Sequence, residues 1–226
     1  MLSTTSLVQD RAAARKRFRL DGYLPLPGLL TDDGLATLRG EAHRLEKVAT
    51  RRDFTMACMD DSPRHMTTLG GHVIAEESAM ISTLYAASEL RSLIETLAGG
   101  AVTGVPDLVE RHVLNILHRE GDTHGAHTDD YPYALVLFLE APDHPDLGGV
   151  LEYAPHTRSL DGIDDVAAMR TAHHRAGDGY LLRSDTTAHR VTPLTRSGLR
   201  RVVLNFAYGT SAAPARTTTS ARELYT

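Results

Sequence analysis

The feature that most restricts the fold is a change of texture at Pro106. Beyond it the segments "LVERHVLNILH", "YALVLFLEA", "GGVLEYAP", "GDGYLLRS", "TAHRVTPL" and "LRRVVLNFAYGT" are short, rich in Val, Leu and Tyr, and parted by Gly, Pro, Asp and Ser clusters. Such runs between turn formers predict strands. Ahead of Pro106 the spacing is helical. Val8 to Phe18 reads as a short basic amphipathic helix, closed by the Gly and Pro residues of "LDGYLPLPG". In "LLTDDGLATLRGEAHRLEKVA" Thr31 is placed to cap a helix, Asp32 and Asp33 fall in its first turn, and Leu35, Leu38, Ala42 and Leu45 recur along one face. Glu76 to Leu97 is helical again, with a break expected near Ser88 and a stop at Ala98 to Gly100. Arg51 to Gly71 has no sustained period and is expected to form loops with short strands.

Helices first and short strands afterwards predict an α+β fold, in which helices cover one face of an antiparallel double sheet or barrel. With no repeat or linker in view, residues 1–226 are expected to form one domain, a helical buttress over about 1–105 and a strand core over about 106–212. The net charge of -5, with Lys and Arg dispersed, offers no basic footprint for nucleic acid. A single cysteine, Cys58, excludes an intrachain disulfide framework and fits a reducing compartment. The N-terminal segment is charged where a signal peptide is apolar, and no apolar run reaches ~18 residues, so a cytoplasmic protein with no membrane partner is expected.

The stretch "THGAHTDDYPYALVLFLEAP", from Thr123 to Pro142, sets His127 and Asp129 two residues apart. In extended chain that spacing sends both side chains to one face, half of a metal site. A second His-x-Asp, His144-Pro-Asp146, has a central proline and is followed by Gly148 and Gly149, so it is expected to be a solvated turn. His189 follows on a later short strand, then Arg200 and Arg201 at the start of an apolar strand. Two imidazoles and one carboxylate with three open positions form the facial triad of non-haem Fe(II) oxygenases, and an arginine near the distal histidine suits a dicarboxylate co-substrate. Parity groups Arg201 with Val203, Asn205 and Ala207, and Arg200 with the bulkier Val202, Leu204 and Phe206. Arg201 is therefore expected to face the barrel interior, with Arg200 as the alternative. Asn115, Asn205 and Thr157 are inner-face candidates for lining the pocket.

This order of residues resembles the Fe(II)/2-oxoglutarate-dependent dioxygenase superfamily, whose motif is His-x-Asp, a distal His, then an Arg. "FRLDGYLPLPGLLTDDGLATLRGEA" is similar to the opening of phytanoyl-CoA-dioxygenase-like members. "GDTHGAHTDDYPYALVLFLEAP" and "DSPRHMTTLGG" are closer to the BesD-like family of free amino acid (lysine) halogenases and hydroxylases. The resemblance implies a double-stranded β-helix, or cupin-like jelly roll, with flanking N-terminal helices. It implies Fe(II) held by His127, Asp129 and His189, with 2-oxoglutarate and dioxygen as co-substrates. It also places Arg64 at the substrate carboxylate, Glu110 and Asp130 at a substrate ammonium, and His124 against the substrate.

Two departures matter. Halogenases of this kind carry a small residue, usually glycine, where Asp129 stands, and that vacancy takes chloride; a carboxylate there implies hydroxylation. The chain also has no tryptophan, whereas the lysine halogenase closes over its substrate with one near the C-terminus; "ARELYT" offers Tyr225 instead. The expected reaction is hydroxylation of an aliphatic carbon of a free, cationic amino acid such as lysine, ornithine or arginine, releasing succinate and carbon dioxide, in specialised metabolism. The alternatives are a phytanoyl-CoA-like oxygenase acting on another small metabolite, or a jelly-roll module that binds metal and ligand without turnover.

Overall fold

The computed structural model describes residues 1–3, 10–211 and 218–226. Twelve strands pair in antiparallel fashion into one curled sheet. From one edge, β1 (Tyr23–Leu26) pairs with β10 (Gly179–Leu182), and then come β7 (Tyr133–Glu140), β12 (Arg201–Gly209), β5 (His112–Leu117) and β3 (Ser62–Leu69). Strand β3 is the seam. Its end, Thr67 to Leu69, pairs with β5, while Arg64 and His65 pair with β6 (Thr123–His127). The sheet continues through β11 (Ala188–Val191), β8 (Leu151–Ala154) and β9 (Arg170–Ala172), with β2 (Thr50–Met56) beside β3 and β4 (Thr103–Gly104) beside β12. Curling these strands against one another gives the double-stranded β-helix.

Alternation along the strands divides the core in two. On β7, Leu135, Leu137 and Leu139 face the helices together with Val202, Leu204 and Phe206 of β12. Ala134, Val136 and Phe138 face inward with Tyr23, Tyr153, Tyr180, Leu182 and Val203. Burial on both faces explains why "YALVLFLE" reads as a continuous apolar run.

The helical layer consists of α1 (Arg11–Asp21), α2 (Asp32–Leu45), α3 (Gly71–Glu77), α4 (Ala79–Ala86) and α5 (Ser88–Ala98). Thr31 caps α2 as expected, its hydroxyl accepting the Gly34 N–H at 3.1 Å. Val8 and Gln9 of the first expected helix, and the expected core limit at 212, lie outside the described residues. The break expected near Ser88 is two breaks. Ser78 turns extended and caps α4, and Ala87 is extended before α5. Gly99 then ends α5 at φ 79, the left-handed conformation that glycine adopts without steric cost.

Residues 51–71 depart from the expectation of loops with short strands, since most of them form the β2–β3 hairpin, paired from Thr50↔Thr68 to Met56↔Ser62. No apolar alternation betrays β2 because it is held by charge: Arg51 donates to Asp53 at 2.6 Å and to Asp122 at 2.7 Å. A last helix, α6 (Thr219–Tyr225), lays Leu224 against Met56, Met66 and Leu117. Its Leu224 carbonyl accepts the Thr68 hydroxyl at 2.9 Å. Among the described residues, no helix is long and apolar enough to cross a membrane.

Candidate metal centre and ligand chambers

Strands β6 and β11 pair with His127 opposite His189, and this register sets the two rings 4.1 Å apart. Each imidazole is oriented through Nδ1, His127 to the Gly125 carbonyl at 2.7 Å and His189 to the Thr187 carbonyl at 2.9 Å. Those bonds leave both Nε2 atoms aimed at one point. Asp129 is just beyond the end of β6, and the Ser184 carbonyl fixes its backbone by accepting the Asp129 N–H at 3.0 Å. Its Oδ1 sits 3.6 Å from His127 Nε2 and 4.0 Å from His189 Nε2. All three donor atoms lie within 4.8 Å of one another. Two imidazole nitrogens and one carboxylate on one side of a point are the donor set of a non-haem Fe(II) site with further positions open. Burial, with neighbouring His124, holds His127 well below the usual imidazole range, so its Nε2 lone pair is free for a metal. The other His-x-Asp, His144 and Asp146, is exposed in the turn after β7, as expected.

Glycine is required where β3 and β6 touch. A Cβ on Gly125 would stand 2.6 Å from the Pro63 carbonyl oxygen, so a side chain there would push the strand carrying His127 off the seam.

Inside the barrel, an inner chamber of about 450 Å³ reaches from the triad to Arg201 and includes Asn115, Tyr180 and Asn205. Arg201 is 3 % exposed, its guanidinium lies 5.0 Å over the Phe138 ring, and its Nε has no partner. Burial pulls its pKa below the ordinary arginine value. Asn115 Oδ1 and Asn205 Oδ1 are also buried without partners. A guanidinium with no counter-ion among the described residues, beside a metal triad, fits a dicarboxylate such as 2-oxoglutarate. Arg200, carried as the alternative, is corrected by parity. It points to the helical side, where Nε donates to Glu140 at 2.9 Å and Nη2 to Glu46 at 2.8 Å. Thr157, also expected on the inner face, sits instead in the turn after β8, its hydroxyl accepting the Ser159 N–H.

An outer chamber of about 350 Å³ also reaches His127 and Asp129, and extends from them to Arg64, Glu110 and Asp130. Arg64, only 1 % exposed, is held in it by Ser62 Oγ at 2.8 Å and the Pro63 carbonyl at 3.0 Å. Its Nε is unpartnered, and burial lowers its pKa to about 10. Glu110 is in the same chamber, in the turn before β5 and not on the strand where it was expected, since β5 begins at His112. Its Oε2 is buried without a partner, and burial, reinforced by Asp130 and Asp129, raises its carboxyl to about 9. Asp130 accepts hydroxyl bonds from Thr218 at 2.6 Å and Ser220 at 3.2 Å, tying the start of α6 to the mouth. His124 stacks on His127 at 4.0 Å and lines both chambers, contrary to the usual fate of a histidine in a glycine-containing segment.

Four contributors were not singled out in the sequence. Tyr180 reaches Arg201, Ser184 holds Asp129, and Met56 and Met59 form apolar wall. Tyr180 could have been found by strand parity with Leu182; Ser184 carries no local signal, because its role depends on a loop contact. Tyr225, noted as the substitute for a closing tryptophan, lines both chambers and a third cavity of about 320 Å³ beside Glu110 and Tyr131.

The geometry has parallels among known proteins. Similar solved structures include the epimerase SnoN from nogalamycin biosynthesis in complex with Fe3+, alpha ketoglutarate and nogalamycin RO (18% identity over 94% of this chain and 88% of that one, TM-score 0.70). HygX from Streptomyces hygroscopicus with nickel and 2-oxoglutarate bound (13%, 93% of each chain, TM-score 0.66) and a Pseudomonas putida prolyl-4-hydroxylase (18%, 89% and 100%, TM-score 0.59) share the same fold. No curated protein matches the sequence. The model of one family, described as halogenase D, matches residues 7–225, and with the triad in place the chain belongs to that family.

Proposed function

We propose that the protein is an Fe(II)- and 2-oxoglutarate-dependent hydroxylase acting on an aliphatic carbon of a free amino acid with a cationic side chain. The observation that carries this reading is the outer chamber, where Arg64 and Glu110, with Arg64 Nε and Glu110 Oε2 unpartnered among the described residues, share one cavity with the metal-site residues His127 and Asp129. Buried polar atoms without partners are costly, whether the group is charged, as in Arg64, or holds its proton, as Glu110 does. A molecule bearing a carboxylate and an ammonium relieves both at once.

His127, Asp129 and His189 would hold iron, and Arg201 would take the distal carboxylate of 2-oxoglutarate in a bidentate pair. Bound iron supplies dioxygen activation coupled to decarboxylation of 2-oxoglutarate, with succinate and carbon dioxide released. Arg64 orients the substrate by its carboxylate. Glu110, with Asp130 nearby, receives the ammonium and so fixes which carbon faces the metal. Tyr225, Leu224, Met56 and Met59 exclude water from that carbon. Asp129 occupies the position that glycine leaves open for chloride in the halogenases, which supports oxygen transfer over chlorination despite the family's name.

Succinate formation over a panel of free amino acids, each with and without chloride, tests the reading. Stimulation by lysine, ornithine or arginine with a hydroxylated product is expected. Chlorinated product would overturn the hydroxylase assignment, and stimulation confined to acyl-CoA or carrier-bound compounds would overturn the substrate.

A further inference from the structure

Behind the inner chamber, the barrel core contains a run of buried polar aromatics that the hydroxylation reaction does not use. Tyr180 lines the chamber and its hydroxyl bonds to Arg201. Its ring centroid is 5.7 Å from that of Tyr23, and Tyr23 is 4.6 Å from Tyr153. Tyr153 bonds to Arg170, which ion-pairs with Asp21 at the surface. His174, from the loop after β9, stacks on Phe138 at 4.5 Å, and its Nε2 is 2.8 Å from the Tyr23 hydroxyl. We propose that Tyr180, Tyr23 and Tyr153, with His174 as proton acceptor, form an electron relay that drains oxidising equivalents from the metal centre when dioxygen is activated with no substrate in place. This rests on the oxygenase reading above.

Another aromatic cluster shows why packing alone does not account for the arrangement. Tyr85 and Tyr208 stack at 4.9 Å on the helical side, and their hydroxyls donate to backbone carbonyls, Ala207 at 2.9 Å and Tyr85 at 3.0 Å. A carbonyl satisfies a buried hydroxyl but cannot take its proton, so those tyrosines are hard to oxidise. An imidazole can. Burial, with Arg201 nearby, lowers the pKa of His174 to about 3, which keeps the ring neutral, and in the tautomer protonated at Nδ1 its Nε2 accepts from Tyr23.

In the relay step the Tyr23 O–H bond breaks. Its proton passes to His174 Nε2, and one electron passes through the Tyr180 ring to the oxidised centre, which is reduced by one equivalent. The positive charge of Arg201 against Tyr180 disfavours a hole resting there, so the hole settles on Tyr23. Tyr153 then returns an electron to Tyr23, Tyr23 recovers its proton from His174, and Tyr153 releases its own proton to water at the Asp21–Arg170 edge. A thiol or ascorbate-class reductant restores Tyr153 by giving one hydrogen atom. A two-electron oxidant is consumed in two such passes.

Two measurements test the proposal. Ultraviolet photolysis of the frozen, metal-free protein should leave its main tyrosyl radical, read by electron paramagnetic resonance, on Tyr23. The signal should change in Tyr23→Phe and persist in Tyr208→Phe; the same spectrum in all three overturns the relay. Protein then given Fe(II), 2-oxoglutarate and dioxygen without an amino acid should, after peptide mass mapping, show several-fold more oxidation at Tyr180, Tyr225 and the triad in Tyr23→Phe and in His174→Phe than in wild type. Equal maps overturn it, and melting curves check that the variants fold. If no visible charge-transfer band forms with Fe(II) and 2-oxoglutarate, the oxygenase reading fails, while the photolysis result still decides where a hole comes to rest.

Discussion

Strand β12 and the residue before it present two faces that differ in how they treat polar atoms. On the helical face Arg200 is matched by Glu46 and Glu140, and Val202, Leu204 and Phe206 are packed under helices. On the inner face Arg201 Nε and Asn205 Oδ1 lack partners among the described residues, as does Asn115 Oδ1 on the adjoining β5. Each unpaired buried group costs about 1–3 kcal/mol, so folding alone would not favour them. The outer face is complete as a fold, whereas the inner face is complete only around a ligand.

The strongest way to break this comparison is at the metal. His189→Ala removes one of three donors and should lower Fe(II) affinity by more than the ~10–100-fold typical of losing an outer-shell partner. The charge-transfer band formed anaerobically with Fe(II) and 2-oxoglutarate should disappear. Retained metal binding in a titration would show that the triad is not the site. Next comes the pair of arginines. Arg201→Gln should cost about 2–5 kcal/mol in 2-oxoglutarate binding by calorimetry, as for truncation of a buried charge pair. Arg200→Gln should leave that affinity unchanged, and equal losses in the two variants would refute the division of faces.

Much of this was legible in the residues, for reasons that differ by element. Strand parity separated Arg201 from Arg200 because β12 keeps an unbroken register from Arg201 to Phe206 in its pairing with β5. The triad was legible from residue type and order. The convergence of His127 and Asp129 was expected from alternation along a strand, yet Asp129 is past the strand end and is aimed by Ser184. That contact joins segments more than fifty residues apart and leaves no local trace. The β2–β3 hairpin escaped because its strand signal lies in cross-strand charges, and the short α6 because its position depends on Thr68 and Asp130.

Glu110 gives a smaller effect with a definite sign. Its folded carboxyl titrates near 9, above the ordinary 4.5, so the folded, metal-free protein keeps a proton that the unfolded chain loses. Stability contributed by that proton is complete below pH 4.5 and declines as pH rises toward 9. Glu110→Gln, neutral at every pH, should therefore melt like wild type in acid and gain about 1–3 kcal/mol over it near pH 8, while losing affinity for a cationic substrate. Parallel melting curves for the two proteins from pH 5 to about 9 would mean that Glu110 is already ionised and paired.

The smallest effect belongs to the outer face. Arg200, Glu46 and Glu140 are partly exposed, so their ion pairs are screened and Arg200→Gln should cost about 0.5–1 kcal/mol in unfolding free energy. Burial pushes the Glu140 carboxyl up, but hydrogen bonds from His43 and Arg200 hold it below its ordinary value. A depressed folded pKa contributes stability that is present above pH 4.5 and lost as pH falls through the folded value. The difference between wild type and Arg200→Gln should accordingly shrink on acidification and in 1 M salt. A difference that persists in both conditions would assign the cost to lost packing of the arginine stem over α2 and β7, and would put the outer face, too, beyond a purely electrostatic account.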